Sequence, residues 1–333
     1  MNYFELLEAL KQFSKKQTII LEKQENQLVL YSEKVRLFLN LAEEILEEPE
    51  FIAKAVSGFR LVFDSEDLAE AIRYVDFARD EKGDRDYTKG YYLDFIEINS
   101  DKVYLVTTDN HRLSWYRLVP KVKSGSVNIP GLSLSAEHSL ILKTICQAFQ
   151  GVVDIQVEEL DDKERVVLIF QAFPFVYKGI HYVIGFPDWL GLTPKEFSGS
   201  MIVEKEVAIE MIDFVKKGEK LTKSLAKERK SKGRIYGRVH LEFKKGEDKV
   251  KMEIWDNDIS DRKVMERDFS CKWTGGDFLV AFDVRYLTEI LSVLQDGFKI
   301  QFTHPSGIVQ FEDLKKDCFV HWLMPMDLSK IPS

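Results

Sequence analysis

The chain has 333 residues, a net charge of −8 at pH 7 and 45% apolar residues. This length predicts two or three domains, and the composition is that of a globular chain rather than a disordered one. No apolar run approaches the roughly 20 residues that span a bilayer, and residues 1–5 are unlike a signal peptide. We therefore expect a cytoplasmic protein with no membrane partner, and the three scattered cysteines favour a reducing compartment.

Five segments carry apolar residues at positions i, i+3, i+4 and i+7, which lie on one face of a helix. In chain order these stripes are Leu6/Ala9/Leu10/Phe13, Leu68/Ala71/Ile72/Val75, Leu142/Ile145/Cys146/Phe149, Ala208/Met211/Ile212/Val215 and Leu287/Ile290/Leu291/Leu294. Because each helix has a single apolar stripe, we expect it to cover a sheet with one side and to expose the other.

Short apolar strands and hairpins lie between the predicted helices. Strands are predicted before the four later helices, at Phe59–Phe63, Val127–Pro130, Met201–Val203 and Phe278–Phe282. Hairpins are predicted from Phe95–Asn99 with Lys102–Thr108, and from His240–Lys244 with Val250–Trp255 across a turn at residues 245–248. The repeating unit is therefore a strand, a helix and about three strands. Such units predict an α+β fold with antiparallel sheets, in which the first unit begins directly with its helix.

Two motifs resemble a known family. Residues 108–113, Thr-Asp-Asn-His-Arg-Leu, are similar to the Thr-Asp-Gly-His-Arg-Leu signature of the bacterial DNA polymerase III beta subunit, the sliding clamp. Residues 324–328, Met-Pro-Met-Asp-Leu, are similar to that family's terminal Met-Pro-Met-Arg-Leu. Weaker matches occur at residues 91–93, 186–189 and 282–287, in the family's order.

The resemblance implies a ring of two subunits, each with three domains built from paired units, with antiparallel sheets outside and helices inside. Residues 1–56 correspond to the second half of the first domain, 57–195 to the middle domain and 196–333 to the last. Because half of the first domain has no counterpart here, we expect ring closure to be affected more than the other functions.

The function implied is that of a DNA sliding clamp, a replication processivity factor that catalyses nothing. Its partners would be encircled double-stranded DNA, bound without sequence specificity, further copies of itself, and the replicative polymerase and clamp loader through short peptides. The alternative is a clamp-derived peptide-binding module that does not close a ring.

Family partners insert a short peptide with apolar anchors into a cleft between the middle and last domains. The resemblance places on one wall Leu93, Thr108, Asn110, His111, Arg112, Leu113 and Pro194, and on the other Asp283, Tyr286, Ser306, Ile308, Trp322, Leu323, Met324, Pro325, Met326, Asp327 and Leu328. Met and aromatic side chains suit an adaptable apolar pocket. The alternative is that residues 322–326 close a core with a final strand and that His111 is a hydrogen-bonded loop histidine.

Basic residues are concentrated between Lys216 and Arg234, where nine stand against two acidic residues. This stretch has a net charge of +7. Because the whole chain has a net charge of −8, the rest of the chain has a net charge of −15. The residues predicted to contact DNA are Arg73, Tyr91, Tyr92, Lys143, Lys216, Lys217, Lys220, Lys223, Lys227 and Arg285. Contacts to phosphates would carry no sequence information. The alternative is that residues 216–234 form a solvated linker. A further family contact, Pro-Arg-Lys, is replaced here by Pro-Gly-Leu at residues 130–132.

Motifs of catalysis and metal binding are missing from the sequence. It contains no phosphate-binding loop, zinc-protease motif or serine-hydrolase elbow, and its histidines and cysteines lack zinc-like spacing. Residues 256–261 superficially resemble a calcium loop, but the sixth position is Asp261 rather than Gly, and Arg267 occupies the twelfth, where Glu is needed. We expect no cofactor, no metal and no enzyme activity.

The replacement of the family's Arg by Asp327 puts a negative charge at the edge of the predicted cleft. We therefore predict an altered preference for acidic peptides, measured by comparing Asp327→Arg with the native chain against matched peptides with acidic and neutral flanks. Equal relative affinities in the two proteins would contradict it.

Overall fold

The computed structural model describes residues 20–24, 27–32, 36–40, 55–95, 101–126, 128–129, 131–160, 162, 164–172, 175–228, 237–257 and 262–327. The chain separates into two compact units, Met1–Lys54 and Ala55–Ser333. Among the helices of the described ranges, none has the length and apolar character needed to cross a bilayer. The division into three domains remains a prediction.

The first unit contains a three-stranded antiparallel sheet. Its strands, β1 (Ile20–Gln24), β2 (Gln27–Tyr31) and β3 (Arg36–Asn40), follow one another in the sheet as they do in the sequence. Val29 and Leu30 are buried at its centre. The helix predicted around residues 6–13 lies outside the described residues.

Four helices are described in the second unit, and they match the four later predicted stripes, of which only Phe149 and Leu294 lie one residue past a helix end. They are α1 (Ser65–Val75), α2 (Ala136–Ala148), α3 (Lys205–Glu228) and α4 (Val284–Val293). The stripe residues are buried, except that Phe149 is half-buried just past the end of α2. The Ser135 and Asp283 side chains cap α2 and α4 by accepting backbone N–H groups, as capping residues do. The prediction of these helices is confirmed.

Eighteen strands of the second unit form three antiparallel sheets in the described residues. The strands are β4 (Ala55–Asp64), β5 (Tyr92–Asp94), β6 (Val103–Thr108), β7 (Arg112–Leu118), β8 (Val122–Ser126), β9 (Gly131–Ser133), β10 (Val152–Leu160), β11 (Arg165–Ala172), β12 (Phe175–Tyr182), β13 (Gly199–Val203), β14 (Gly237–Phe243), β15 (Lys249–Asp256), β16 (Arg262–Ser270), β17 (Lys272–Thr274), β18 (Phe278–Asp283), β19 (Phe298–Phe302), β20 (Val309–Asp313) and β21 (Phe319–Leu323). The sheet orders are β12-β11-β10-β4-β8, β16-β15-β14-β18 and β17-β13-β19-β20-β21-β7-β6-β5-β9. Short 3-10 helices lie at Asp76–Ala78, Asp86–Thr88 and Leu190–Leu192.

Within the described ranges the predicted repeat is present four times, since each helix follows a strand and precedes at least three others. One strand prediction was wrong, and most of another lies outside the described residues. The strand before α2 is β9 rather than Val127–Pro130, because Asn128 donates from its backbone and side chain to Glu159 instead of joining a ladder. The strand that pairs with β6 is β5, and Phe95 lies just past its end, while residues 96–99 lie outside the described ones.

Helix α3 has 24 residues, about twice the length of the other three. Its buried stripe continues beyond Val215 in small residues, Gly218, Thr222 and Ala226, each one turn further along. At Gly218 a Cβ would lie 2.0 Å from the Cδ1 of Ile254, so the missing side chain lets the helix approach β15 closely. The linker prediction is therefore wrong for residues 216–228, while residues 229–236 lie outside the described ones.

The nine-stranded sheet joins the predicted middle and last domains. Strands β7 and β21 pair antiparallel, from Tyr116 opposite Phe319 to Arg112 opposite Leu323. The helix-side core covers one face of this sheet, and a second apolar cluster covers the other. The pairing brings the ends of the two resemblance motifs, residues 108–113 and 324–328, to one edge of the sheet.

Candidate functional site

The turn between β6 and β7 is held by Asp109. Its Oδ1 accepts the backbone N–H groups of His111 at 3.0 Å and Arg112 at 3.1 Å. Asn110, between Asp109 and His111, has a φ of +72°, a left-handed conformation that Asn tolerates better than most residues. Asn can therefore serve at the position where the resembled signature has Gly, and His111 is left exposed at the tip of the hairpin.

The segment that follows β21 bridges this hairpin and the start of α4. The N–H of Met324 donates to the His111 carbonyl at 3.0 Å, and the N–H of Met326 donates to the Ala281 carbonyl at 2.8 Å. Tyr286, in the first turn of α4, has its ring centroid 6.2 Å from that of His111. The side chains of His111, Tyr286 and Met324 thus lie around one open apolar surface, here called the cleft. Met324 is 45% exposed there.

Beneath the cleft lies the Arg112 guanidinium, whose side chain is 5% exposed. Its Nε donates to Asp109 at 3.0 Å, one terminal nitrogen pairs with Glu289 of α4, and the other donates to the Phe77 carbonyl. The guanidinium carbon lies 4.3 Å from the centroid of the Tyr286 ring, a cation–π contact. Arg112 therefore connects the two sides of the cleft from below, and each of its three side-chain nitrogens donates one hydrogen bond there.

An aromatic cluster lies behind Leu113 on the sheet face opposite the helices. Leu113, Trp322 and Ile308 pack there with Trp189, which belongs to the segment that follows β12. The Trp189 indole donates to Asp94 at 2.7 Å, and the Trp322 indole donates to Gln310 at 2.8 Å. The packed indoles give the cleft a firm apolar base.

The structure gathers most of the predicted cleft residues. Those brought together at the edge of the sheet are Thr108, Asn110, His111, Arg112, Leu113, Asp283, Tyr286, Trp322, Met324, Pro325 and Met326. Leu323 pairs with Arg112 at this edge, but its side chain is buried in the helix-side core. Pro194 is half-buried after the Leu190–Leu192 helix, Ser306 is exposed in the turn before β20, and Asp327 is exposed at the end of the described chain. Leu328 lies outside the described residues.

Leu93 is a correction to the predicted cleft. Successive residues of a strand point to opposite faces, and in β5 Tyr92 belongs to the aromatic cluster while Leu93 belongs to the helix-side core. Leu93 is fully buried there, on the face away from Leu113 and Trp322. It therefore supports the helices rather than the cleft.

Burial shifts the two ionisable groups at the start of α4. It raises the pKa of Tyr286 to about 12, with a further contribution from the Asp109 carboxylate. Burial also raises the pKa of Asp283, against the opposing hydrogen bond from the Arg285 backbone N–H. Tyr286 is therefore a neutral hydrogen-bond donor at physiological pH.

The predicted DNA contacts of Tyr91 and Tyr92 are wrong because both rings are buried. Tyr91 lies in the helix-side core, and its hydroxyl donates to Asp76 at 2.6 Å. Tyr92 stacks on Phe186 with 4.2 Å between the ring centroids. Both aromatic rings stabilise the sheet from within.

Arg73 and Lys143, two other predicted DNA contacts, line one cavity of about 440 Å³ between α1, α2 and α4. Arg73 is 55% exposed and lies over the Tyr74 ring at 4.4 Å. The Lys143 ammonium pairs with Asp76 at 2.6 Å. Arg285, at the start of α4, is half-buried over the Tyr286 ring at 4.6 Å. Arg73 is thus the most accessible of these three cations.

The remaining predicted DNA contacts follow one side of α3. Lys216, Lys220, Lys223 and Lys227 are spaced by four, three and four residues, which aligns them on one helical face. We call these four residues the lysine ridge. Lys223 pairs with Glu219 at 2.5 Å, whereas the other three make no ion pair within the described residues. Lys217 lies beside the ridge and pairs with Asp213 at 2.6 Å.

The calcium-like stretch shows no assembled site in the part that is described. Asp256 is buried at the end of β15, Arg267 pairs with Glu210 of α3, and residues 258–261 lie outside the described ranges. In the described part of the chain, no three His, Cys, Asp or Glu side chains gather as a metal site.

Solved bacterial clamps share this architecture. The beta sliding clamp of Caulobacter crescentus, solved with polyethylene glycol bound, has a TM-score of 0.68 at 18% identity, covering 98% of this chain and 80% of that chain. The DNA polymerase III subunit beta of Bartonella birtlesii bound to griselimycin has a TM-score of 0.69 at 18% identity, with the same coverage. That of Pseudomonas aeruginosa bound to griselimycin has 0.67 at 17% identity, again covering 98% and 80%. The chain has the sliding-clamp fold.

No protein-family model and no curated protein matches the sequence. The clamp fold is therefore shown by the similarity to solved structures. Within this clamp fold, sequence reasoning missed Glu289, Phe77 and Trp189, which hold the cleft from below and behind. Glu289 follows Tyr286 by three residues, so the spacing that brings helical residues together was the available signal.

His321 generates a prediction about acid stability. It is fully buried on β21, its Nδ1 lies 2.7 Å from the Ser114 hydroxyl of β7, and its Nε2 has no partner in the described structure. Burial, followed by the nearby Arg112 charge, lowers the pKa of His321 well below its ordinary value. The unfolded chain therefore binds a proton more readily, and stability is lost as the pH falls below about 6.5.

We expect the free energy of unfolding to fall by about 1 kcal/mol from this residue between pH 7.5 and 5.5. Urea titrations at both pH values measure this difference, and His321→Gln should reduce it. His304→Gln removes an exposed histidine and should leave the difference unchanged. Equal pH dependence in native and His321→Gln proteins would refute the assignment.

Proposed function

We propose that this chain is a subunit of a DNA sliding clamp, a non-catalytic processivity factor that encircles double-stranded DNA. The clamp fold shared with solved DNA polymerase III beta subunits supports the proposal. It would bind the replicative polymerase and the clamp loader through short peptides, and it would close its ring with further copies of itself.

The feature that carries the proposal is the cleft at the junction of β7 and β21. Two separate sequence motifs meet there through strand pairing and through the Met324-to-His111 hydrogen bond. The surface combines exposed Met324, half-buried Tyr286 and exposed His111 over a base of packed indoles. Flexible methionine and aromatic groups with a few polar atoms are suited to apolar peptide anchors.

The lysine ridge supports the DNA part of the proposal. Its first and last members are 11 residues apart, so the ridge is about 16 Å long at 1.5 Å per residue. Amines at this spacing on a rigid helix can follow a phosphate backbone without reading bases. On α1 the acidic residues Glu66, Asp67 and Glu70 outnumber Arg73, so we assign the main phosphate contacts to α3.

The experiment that tests this function measures retention on DNA of different topology. The chain is loaded onto nicked circular plasmid by the clamp loader of its source, passed over a gel-filtration column at high salt, and then the plasmid is cut once. A closed ring stays on the circle and slides off the linear product. Loss from both forms, with peptide binding intact, would instead support an interaction module that does not close a ring.

The lysine ridge makes a second prediction, about salt dependence. Each phosphate neutralised contributes about 0.9 to the slope of log affinity against log salt. Replacing Lys216, Lys220 and Lys227 by Gln should therefore lower the magnitude of that slope by about 2 to 3, as measured by fluorescence anisotropy on a short duplex.

The matched control removes the same charge from strands. Lys178, Lys249 and Lys272 are exposed on β12, β15 and β17, and their Gln variants should keep the native slope. If both triple variants change the slope equally, net charge rather than the ridge governs binding.

A further inference from the structure

The two walls of the cleft are joined by a charged pair that crosses the sheet junction. Arg112 begins β7 on one wall, and Glu289 lies on α4, one turn beyond Tyr286 of the other wall. Their side chains form an ion pair and hydrogen bond, with exposed fractions of 5% for Arg112 and 36% for Glu289. The pair is therefore largely withdrawn from solvent screening on the arginine side.

Some contacts of Arg112 lie within its own wall of the cleft, and one crosses to the opposite wall. Asp109 belongs to the same hairpin as Arg112, so their 3.0 Å hydrogen bond shapes the turn without crossing the junction. The Phe77 carbonyl, just after α1, accepts a further hydrogen bond from the same wall. Glu289 is the carboxylate that reaches Arg112 from the opposite wall in the described structure. Its loss would remove this link to α4 while leaving the hydrogen bonds of the hairpin intact.

The Arg112 guanidinium packs against the Tyr286 ring, which Arg285 also contacts from within α4. Arg112 lies 4.3 Å from the Tyr286 centroid and 5.3 Å from the Phe77 centroid. On the cleft side, the Tyr286 centroid is 6.2 Å from that of His111. A planar guanidinium held at several points is a fixed platform, so its tilt sets how far the tyrosine stands from the histidine.

We propose that Glu289 is a positioning residue of the peptide cleft: it holds Arg112 across the junction, and Arg112 fixes Tyr286 opposite His111. This inference rests on the proposed function, since it assigns the cleft to peptide. Arg112 is then a support below the binding surface, and its predicted direct contact with peptide is replaced by this role. The ligand contacts Tyr286 and His111, and Glu289 sets the spacing of these two rings without touching the ligand.

The first test is a change that keeps shape and removes charge. Glu289→Gln should weaken binding of a fluorescein-labelled pentapeptide ending in Leu-Phe by about 5- to 10-fold, measured by fluorescence anisotropy. Glu289→Asp keeps the charge and should retain most of the affinity. The control is Asp154→Asn, which removes the partly buried ion pair with Arg60 in the separate five-stranded sheet, and it should bind as the native chain does.

A double-mutant cycle separates positioning from a general loss of stability. Arg112→Lys replaces the planar fork by a point charge, and the combined variant should bind no more weakly than the worse single variant. Strict additivity of the two effects on affinity, or equal losses in Glu289→Gln and Asp154→Asn, would overturn the proposal.

If the native chain binds no such peptide, that result counts against the proposed function alone. The positioning role of Glu289 is then tested by amide hydrogen exchange. The Met324 N–H donates across the junction to the His111 carbonyl. In Glu289→Gln this amide should exchange at least 10-fold faster, while amides of the β14–β15 hairpin keep their native rates. Unchanged exchange at Met324 would overturn the positioning role whatever the peptide result.

Discussion

The pairing of β7 with β21 is the contact on which the rest of the second unit depends. It makes one sheet out of strands whose sequence positions differ by about two hundred residues, with His321 opposite Ser114. The helix-side core and the aromatic cluster both need this sheet as their common wall. Without it, Leu113 and Trp322 would lose their shared packing, and the cleft would lose its base. Arg112 lies at the end of this ladder, where side-chain hydrogen bonds rather than backbone pairing connect the two walls of the cleft.

Two groups of positive charges in the second unit have different roles: buried arginines stabilise the fold, and exposed lysines of α3 face the solvent. The buried cations Arg112 and Arg79 are neutralised by carboxylates that hold the fold together. Ion pairs at the surface contribute little to stability, so the unpaired lysines of α3 are available for an external anion. The long helix supplies them because its second half docks through small residues, which keeps the lysines on a rigid, exposed side.

Large apolar residues at helical spacing were enough to predict α1, α2, α4 and the first half of α3. The second half of α3 was missed because Gly218, Thr222 and Ala226 carry no apolar signal, although they pack as closely as larger residues do. The gathering of His111, Tyr286 and Met324 followed from the family resemblance, since no local pattern connects segments so far apart. Leu93, Tyr91 and Tyr92 were misplaced because their strand is covered on both faces, which depends on residues such as Phe186 much further along the chain.

The distance along the chain between β7 and β21 also affects folding during synthesis on the ribosome. Ser114 is made 207 residues before its partner His321, which at 5–20 residues per second is a delay of about 10 to 40 seconds. Throughout that interval the edge of β7 that pairs with β21 has no partner strand. Open apolar edges are sites of intermolecular pairing. The same long-range junction that shapes the finished cleft thus gives the nascent chain a period in which protection by chaperones is valuable.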